Sequence, residues 1–122
     1  MTAAVWIVTW VLAPAFLLAG TAKTLMPRDA LAARGLSWTR AVHPLLVKFI
    51  GVCEALGAIG LVVPLLTGIA PVLAPLAAIG LCCVQACAIV FHVRRAEWKG
   101  LPVNVALFCL CAFVAVCRLL GF

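Results

Sequence analysis

One acidic residue lies in the middle of a long apolar stretch of the chain. Residues 45–66 would form a helix about 33 Å long at 1.5 Å per residue, enough to cross a bilayer core of about 30 Å. Glu54 would then lie about 14 Å from the helix start, near the bilayer midplane. Because an ionised carboxylate is costly at that depth, Glu54 is a candidate for proton handling or ligand binding. The alternative is a protonated Glu54 that joins two helices by a hydrogen bond.

Small residues share the predicted helix face of Glu54. Gly51 and Gly57 lie three positions before and after it, and Gly60 follows one turn later. Small side chains let a neighbouring helix approach closely. The pattern therefore predicts a helix-packing surface made by Gly51, Gly57 and Gly60.

Further polar side chains recur in the other apolar stretches. Gln85 and His92 are seven residues apart and share one stripe, with Gln85 about 10 Å deeper along a helix. That depth is close to that of Glu54, so we predict that Gln85 is the hydrogen-bond partner of Glu54. A bond from Gln85 to another neighbouring helix is the alternative.

Basic and polar residues gather at one end of the predicted helices. If their stripes face inward, a polar mouth forms above the deeper pair of Glu54 and Gln85; its residues would be Lys23, Lys48, His92 and Asn104. The simpler interpretation of Lys23 is a lysine that extends along apolar surface to the membrane interface. His92 has a similar alternative as a residue at headgroup level.

Composition places these residues in an integral membrane protein. The chain has 122 residues, 68% of them hydrophobic and 10% charged, with a mean hydropathy of +1.33, far outside the range of soluble domains. Apolar runs predict four spans within a single domain, 1–122, at about 3–25, 45–66, 72–92 and 102–119. Pro27 and Gly35 bracket a short interfacial helix between the first two spans. The expected fold class is an all-α four-helix bundle in the membrane.

The distribution of basic residues predicts the orientation. The first and third connections, with the helix ends beside them, hold Lys23, Arg28, Arg34, Arg40, Lys48, Arg94, Arg95 and Lys99. The other side holds only Arg118, so the basic loops are expected in the cytoplasm and both termini outside. A short chain with so little outside the bilayer suits a bacterial inner (plasma) membrane. The formal charge of +6 is explained by topology, and we expect no nucleic-acid partner.

The cysteines and histidines show no metal-binding or disulfide pattern. None of the seven cysteines is spaced as CxxC, and cysteine packs well between helices as a small apolar residue. A redox pair is the alternative, made from Cys82, Cys83 or Cys87 on one side and Cys109 or Cys111 on the other. The two histidines are too few for a convincing metal site, and none is expected.

Three segments together resemble the DoxX-like family of small four-helix membrane proteins. They are FLLAGTAKTLMP in the first predicted helix, KFIGVCEALGAIGLVVP in the second and FHVRRAEW closing the third. The resemblance implies a four-helix bundle whose shared positions are Lys23, Lys48, Gly51, Glu54, Gly57 and His92. The family is named for components of quinone-linked respiratory oxidoreductases, although many members have no assigned activity and eukaryotic relatives look like assembly chaperones. The cysteine content departs from the usual pattern of the family.

These observations leave three functions open. The first is an accessory subunit or binding module that holds a hydrophobic ligand such as a quinone at Glu54, with the redox chemistry done by a partner; the expected partners are a membrane redox protein or further copies of the chain in a homo-oligomer. The second is an assembly or scaffold protein that uses Gly51, Gly57 and Gly60 to pack against another membrane protein. The third is an enzyme that acts on a lipid or terpenoid-like substrate with Glu54 as general acid. A cavity at Glu54 would favour a ligand or substrate, whereas tight packing would favour the scaffold.

Overall fold

A computed structural model describes residues 2–33, 42–98 and 101–122 of the chain. In order, its helices are α1 (Thr2–Leu25), the short α2 (Arg28–Ala33), α3 (Pro44–Thr67), α4 (Leu73–Arg94) and α5 (Leu101–Leu119). The four long helices are apolar and long enough to cross a membrane. The predicted all-α membrane bundle with a short helix after the first span is confirmed. The predictions for Arg34, Gly35, Arg40 and Lys99 concern positions outside the described residues.

The outer surface of the long helices is apolar, as lipid requires. Large side chains such as Ile7, Phe49, Leu56 and Val103 point outward and are exposed. A soluble bundle would carry polar residues at such positions. The chain is therefore an integral membrane protein, with the lipid bilayer as the surroundings of its helices.

The helices pack in a ring, in which α3 contacts α1 and α4, and α5 contacts α4 and closes against α1. Gly20 meets Gly51, and Thr24 meets Lys48, so residue numbers rise along α1 as they fall along α3. These two helices are therefore antiparallel. At the closing side, the guanidinium of Arg118 lies 4.5 Å from the centre of the Trp6 ring, a cation–π contact between the two ends of the chain.

The interior contains apolar side chains of all four long helices. Its central cluster is formed by Leu12, Ala13, Phe16, Ala58, Leu61, Val62, Ala78, Leu81, Cys111, Val114 and Ala115. Only three buried residues are polar or charged among those described, namely Thr9, Glu54 and Gln85. The hydroxyl of Thr9 donates to the Val5 carbonyl of its own helix. Glu54 and Gln85 therefore stand out as the buried groups whose role lies beyond local helix geometry.

Local sequence fixes where α3 begins and ends, and so fixes the position of Glu54. His43 caps its first turn, because its Nδ1 accepts a hydrogen bond from the Leu45 N–H at 3.1 Å, and Pro44 occupies the first helical position. At the other end, Gly68 adopts a left-handed conformation with φ of 72° and donates its N–H to the Pro64 carbonyl. The turn after Gly68 leads directly into α4.

Candidate functional site

The carboxylate of Glu54 is paired with a lysine inside the bundle. Lys23 Nζ lies 2.5 Å from Glu54 Oε1, with Glu54 only 2% exposed and the Lys23 side chain 13% exposed. An ammonium at this distance offsets much of the cost of removing the carboxylate from water. The interpretation of Lys23 as a residue extending to the interface is therefore wrong, because its amine turns toward the interior.

A contact between two glycines brings Lys23 within reach of Glu54. A Cβ atom added to Gly20 would lie 2.5 Å from the Gly51 carbonyl oxygen and 2.6 Å from the Ala55 nitrogen. A Cβ atom on Gly51 would lie 2.8 Å from the Lys23 Cβ. The backbones of α1 and α3 are thus closer here than any side chain would allow. Gly20 was not identified from the sequence, although a glycine one turn before Lys23 on the same helix face was the available signal.

The other two predicted packing glycines contact α4. A Cβ on Gly57 would lie 2.7 Å from a methyl carbon of Leu81, and one on Gly60 would lie 2.9 Å from the Ala77 Cβ. With Gly51 against α1, all three glycines pack within the chain itself. They do not form the surface for another membrane protein that the scaffold hypothesis assigned to them.

A cleft opens beside the ion pair, between the end of α1 and the start of α3. It has a volume of about 260 Å³ and is lined by Lys23, Met26, Pro27, Pro44, Val47 and Lys48. We call it the Lys23 cleft. The Lys48 amine donates to the Thr24 carbonyl at 2.9 Å, which ties α3 to the end of α1. Ligand pockets commonly measure about 300 to 1,000 Å³, so this volume suits the head group of a ligand rather than a whole molecule.

Gln85 does not pair with Glu54 as the sequence predicted. Its side chain is buried, with 4% exposed, and its Oε1 accepts no hydrogen bond from any of the residues in 2–33, 42–98 and 101–122. The bond is not formed while a charged amine from α1 occupies the carboxylate, and such a bond is about twice as strong as one from a neutral amide. A buried amide oxygen of this kind is unusual in folded proteins.

His92 is bound in a turn that follows α4. Its Nδ1 lies 3.1 Å from Glu97 Oε1, and the Arg95 Nε donates to the same oxygen at 2.9 Å. Ala96 adopts a positive φ of 54°, which brings Glu97 back so that its N–H donates to the His92 carbonyl. The predicted mouth is thus divided: Lys23 and Lys48 line the cleft, whereas His92 and Asn104 do not.

The turn after α4 should become less stable at low pH. Partial burial raises the pKa of Glu97, but hydrogen bonds and charge from Arg95 and His92 outweigh it and hold the pKa below its ordinary value of 4.5. A lowered pKa stabilises the turn above the ordinary value, and this contribution is lost as pH falls through the lowered value. We expect hydrogen-exchange protection of the Glu97 amide, corrected for the intrinsic rate, to fall below about pH 4. The same profile in Glu97→Gln would contradict this cause.

The cysteines are all free thiols. Cys111 and Cys117 are buried in the bundle, and the Cys82 thiol lies 3.6 Å from the Phe108 carbonyl oxygen across the α4–α5 contact. Cys83, Cys87 and Cys109 are exposed on the apolar surface. Among the described residues, no three His, Cys, Asp or Glu side chains are grouped as a metal site would need.

The sequence matches a known protein family. The model of the DoxX-like family matches residues 7–114, a stretch that includes the Lys23–Glu54 pair, the Lys23 cleft and Gln85. No curated protein and no solved structure gives a significant match.

Proposed function

The chain belongs to the DoxX-like family, and from this premise we propose that it is a membrane-embedded binding module for the polar head of a hydrophobic, quinone-like ligand. The main observation in support is that Lys23 belongs both to the buried ion pair and to the wall of the cleft. A head group in the cleft would therefore be next to a fixed hydrogen-bond donor. Electron transfer to or from the ligand would be the task of a membrane redox partner.

The donors at the Lys23 cleft suit a ligand that carries carbonyl oxygens. A lysine ammonium has three N–H donors and no acceptor. Lys23 directs one of them to Glu54, and Lys48 directs one to the Thr24 carbonyl. Both residues line the cleft, and in the proposed complex each amine donates to an oxygen of the head group. A quinone carbonyl is such an acceptor.

The rest of the cleft wall is apolar and suits the ring of such a head group. Met26, Pro27, Pro44 and Val47 supply it, and none of them carries a charge. Leu25 and Leu45, at the same helix ends, are exposed on the outer surface. A hydrophobic tail leaving the cleft would thus pass directly onto surface that already faces lipid.

The proposal places the cleft at the cytoplasmic side of a bacterial inner membrane. Lys23, Lys48, Arg94 and Arg95 lie at one end of the bundle, and Arg118 lies at the other. Basic residues favour the cytoplasmic side. In this orientation both termini are outside, and the redox partner reaches the cleft from the cytoplasm or within the membrane.

Binding of a decyl-substituted benzoquinone to the purified protein in lipid nanodiscs tests the proposal. We expect Lys23→Met to weaken binding at least tenfold, because a hydrogen bond from a charged donor commonly contributes about 1.5 to 3 kcal/mol. The matched control is Arg94→Met, which removes an exposed basic residue at the same end of the bundle but outside the cleft. Circular dichroism verifies that each variant is folded.

Two results would count against this function. Equal affinity of the wild type and folded Lys23→Met would remove Lys23 from the site. Equal binding to empty nanodiscs would show that the quinone analogue partitions into lipid and has no site on the protein.

A further inference from the structure

The amide oxygen of Gln85 is a buried acceptor that the bundle leaves without a donor. Gln85 is 4% exposed, and no described residue donates to its Oε1. Buried polar atoms in folded proteins nearly always have a hydrogen-bond partner, so an exception indicates a missing group or a second state of a neighbouring side chain. An ionised Glu54 cannot supply the bond, because a carboxylate has no hydrogen to donate.

The packing of α3 against α4 places Gln85 at the level of Glu54. Gly57 faces Leu81 and Gly60 faces Ala77, so residue numbers fall along α4 as they rise along α3. Glu54 lies about one turn before Gly57 on α3, and Gln85 lies about one turn after Leu81 on α4. Because the two helices are antiparallel, both steps lead toward the same end of the bundle. Both side chains are buried in the bundle. The acid and the unmet acceptor therefore occupy the same layer of the interior.

A proton on Glu54 would change the hydrogen bonds available in this layer. A carboxylic acid has one O–H donor, which is the kind of group that the Gln85 oxygen lacks. The protonated acid would also release the Lys23 amine from its ion pair. Because Lys23 lines the cleft, the released amine would be available to an oxygen of a bound head group.

We propose that Gln85 accepts a hydrogen bond from protonated Glu54, so that a ligand oxygen taking Lys23 in the cleft is accompanied by uptake of one proton at Glu54. This inference rests on the proposed function only for the ligand. The balance is simple: the Lys23–Glu54 contact breaks, one proton from water joins the carboxylate, and bonds form from Glu54 to Gln85 and from Lys23 to the ligand.

Few other charged groups surround Glu54. From α1 it faces Lys23, and on α3 itself the titratable groups are the thiol of Cys53 next to it and Lys48, which is exposed and bound to Thr24. On α4 the titratable neighbour of Gln85 one turn away is the thiol of Cys82. On α5 the sequence from Leu101 to Phe108 contains no titratable side chain. Protonation of this layer is therefore assigned to Glu54.

The test is the infrared carboxyl band of Glu54 in lipid, assigned by its loss in Glu54→Gln. In Gln85→Met, at a fixed pH and without ligand, we expect the ratio of protonated to ionised Glu54 to fall about fivefold, the effect of one ordinary hydrogen bond. The band should also move to higher frequency, since the O–H loses its acceptor. Val90→Met places the same side chain on the exposed face of α4 and should change neither quantity.

Several results would overturn the inference. A higher protonated fraction in Gln85→Met would mean that the amide donates to the ionised carboxylate, and an unchanged fraction would mean that the two groups do not interact. If Gln85→Met does not fold, the wild-type band decides: a frequency typical of a free acid, or no band down to about pH 4, overturns the inference as well.

The coupling to the ligand is tested by proton uptake. We expect one proton to be taken up per bound decyl-benzoquinone in the wild type, and fewer in Gln85→Met. Absence of quinone binding would refute the proposed function while leaving the ligand-free comparison decisive for Gln85.

Discussion

Replacing Gly20 by alanine should abolish the native packing of α1 against α3. The new Cβ would lie 2.5 Å from the Gly51 carbonyl oxygen and 2.6 Å from the Ala55 nitrogen, and both are backbone atoms. Backbone cannot rotate away as a side chain can, so the two helices must separate or shift. Overpacking of this kind typically lowers the free energy of unfolding by about 1 to 3 kcal/mol, and at times by more. For Gly20→Ala we expect a loss of about 3 kcal/mol or failure to fold.

A second glycine in the same protein provides the control for this change. A Cβ on Gly80 of α4 would meet no atom within 4 Å. Alanine there should stabilise the helix by up to about 1 kcal/mol, because glycine is a poor helix former. Unfolding in mixed micelles with increasing dodecyl sulfate, followed by circular dichroism, compares the variants. Equal midpoints for Gly20→Ala and Gly80→Ala would contradict the close approach of the two helices.

Removing the amine of Lys23 should destabilise the protein by a similar amount. Lys23→Met leaves Glu54 buried without its cation, and breaking a buried ion pair on one side commonly costs about 3 to 5 kcal/mol. We therefore expect the unfolding midpoint of Lys23→Met in dodecyl sulfate to lie well below that of the wild type.

A double-mutant cycle separates the pair from the individual side chains. Lys23→Met combined with Glu54→Leu removes both charges and keeps similar volume, so much of the stability should return. Lys48→Met is the control, since that exposed amine bonds only a carbonyl among the described residues, and its loss should cost about 1 kcal/mol or less. Strictly additive effects in the cycle would show that Lys23 and Glu54 act independently.

The four spans could be read from the sequence because lipid imposes one simple rule on each helix. Each apolar run is long enough to cross the bilayer, and turn-forming residues separate the runs. Each observed span begins and ends within two residues of its predicted bounds. Glu54 was identified for the same reason, since it is the one acid within such a run. Length and polarity suffice for these features, without knowledge of how the helices pack.

The partner of Glu54 could not be found in this way. Gln85 was chosen because its depth in the membrane matched that of Glu54. The two residues do lie in the same layer of the bundle, but they are not bonded. Choosing between Gln85 and Lys23 requires the rotation of each helix about its axis. A helix that is apolar on every side gives no such information: on α3, outward Phe49 and Leu56 resemble inward Val47 and Leu61 in character. The close approach at Gly20 decides the matter, and it depends on two helices at once.

The turn that holds His92 was missed for a different reason. It depends on the positive φ of Ala96, an alanine in a conformation that usually favours glycine or asparagine. No residue type marks that turn in the sequence. The side chains of His92 and Arg95 reach Glu97 because of it, which removes His92 from the set of residues around the cleft.

The ion pair between α1 and α3 also bears on how the chain enters the bilayer during synthesis. A helix that entered lipid alone with an unpaired charge near its middle would meet an energetic barrier. Glu54 gives α3 such a charge, and the cation that neutralises it belongs to α1, which leaves the ribosome first. We therefore expect α1 to wait at the translocation machinery until α3 emerges, so that the two helices pass into lipid as one hairpin with Glu54 already neutralised by Lys23, before α4 and α5 join them.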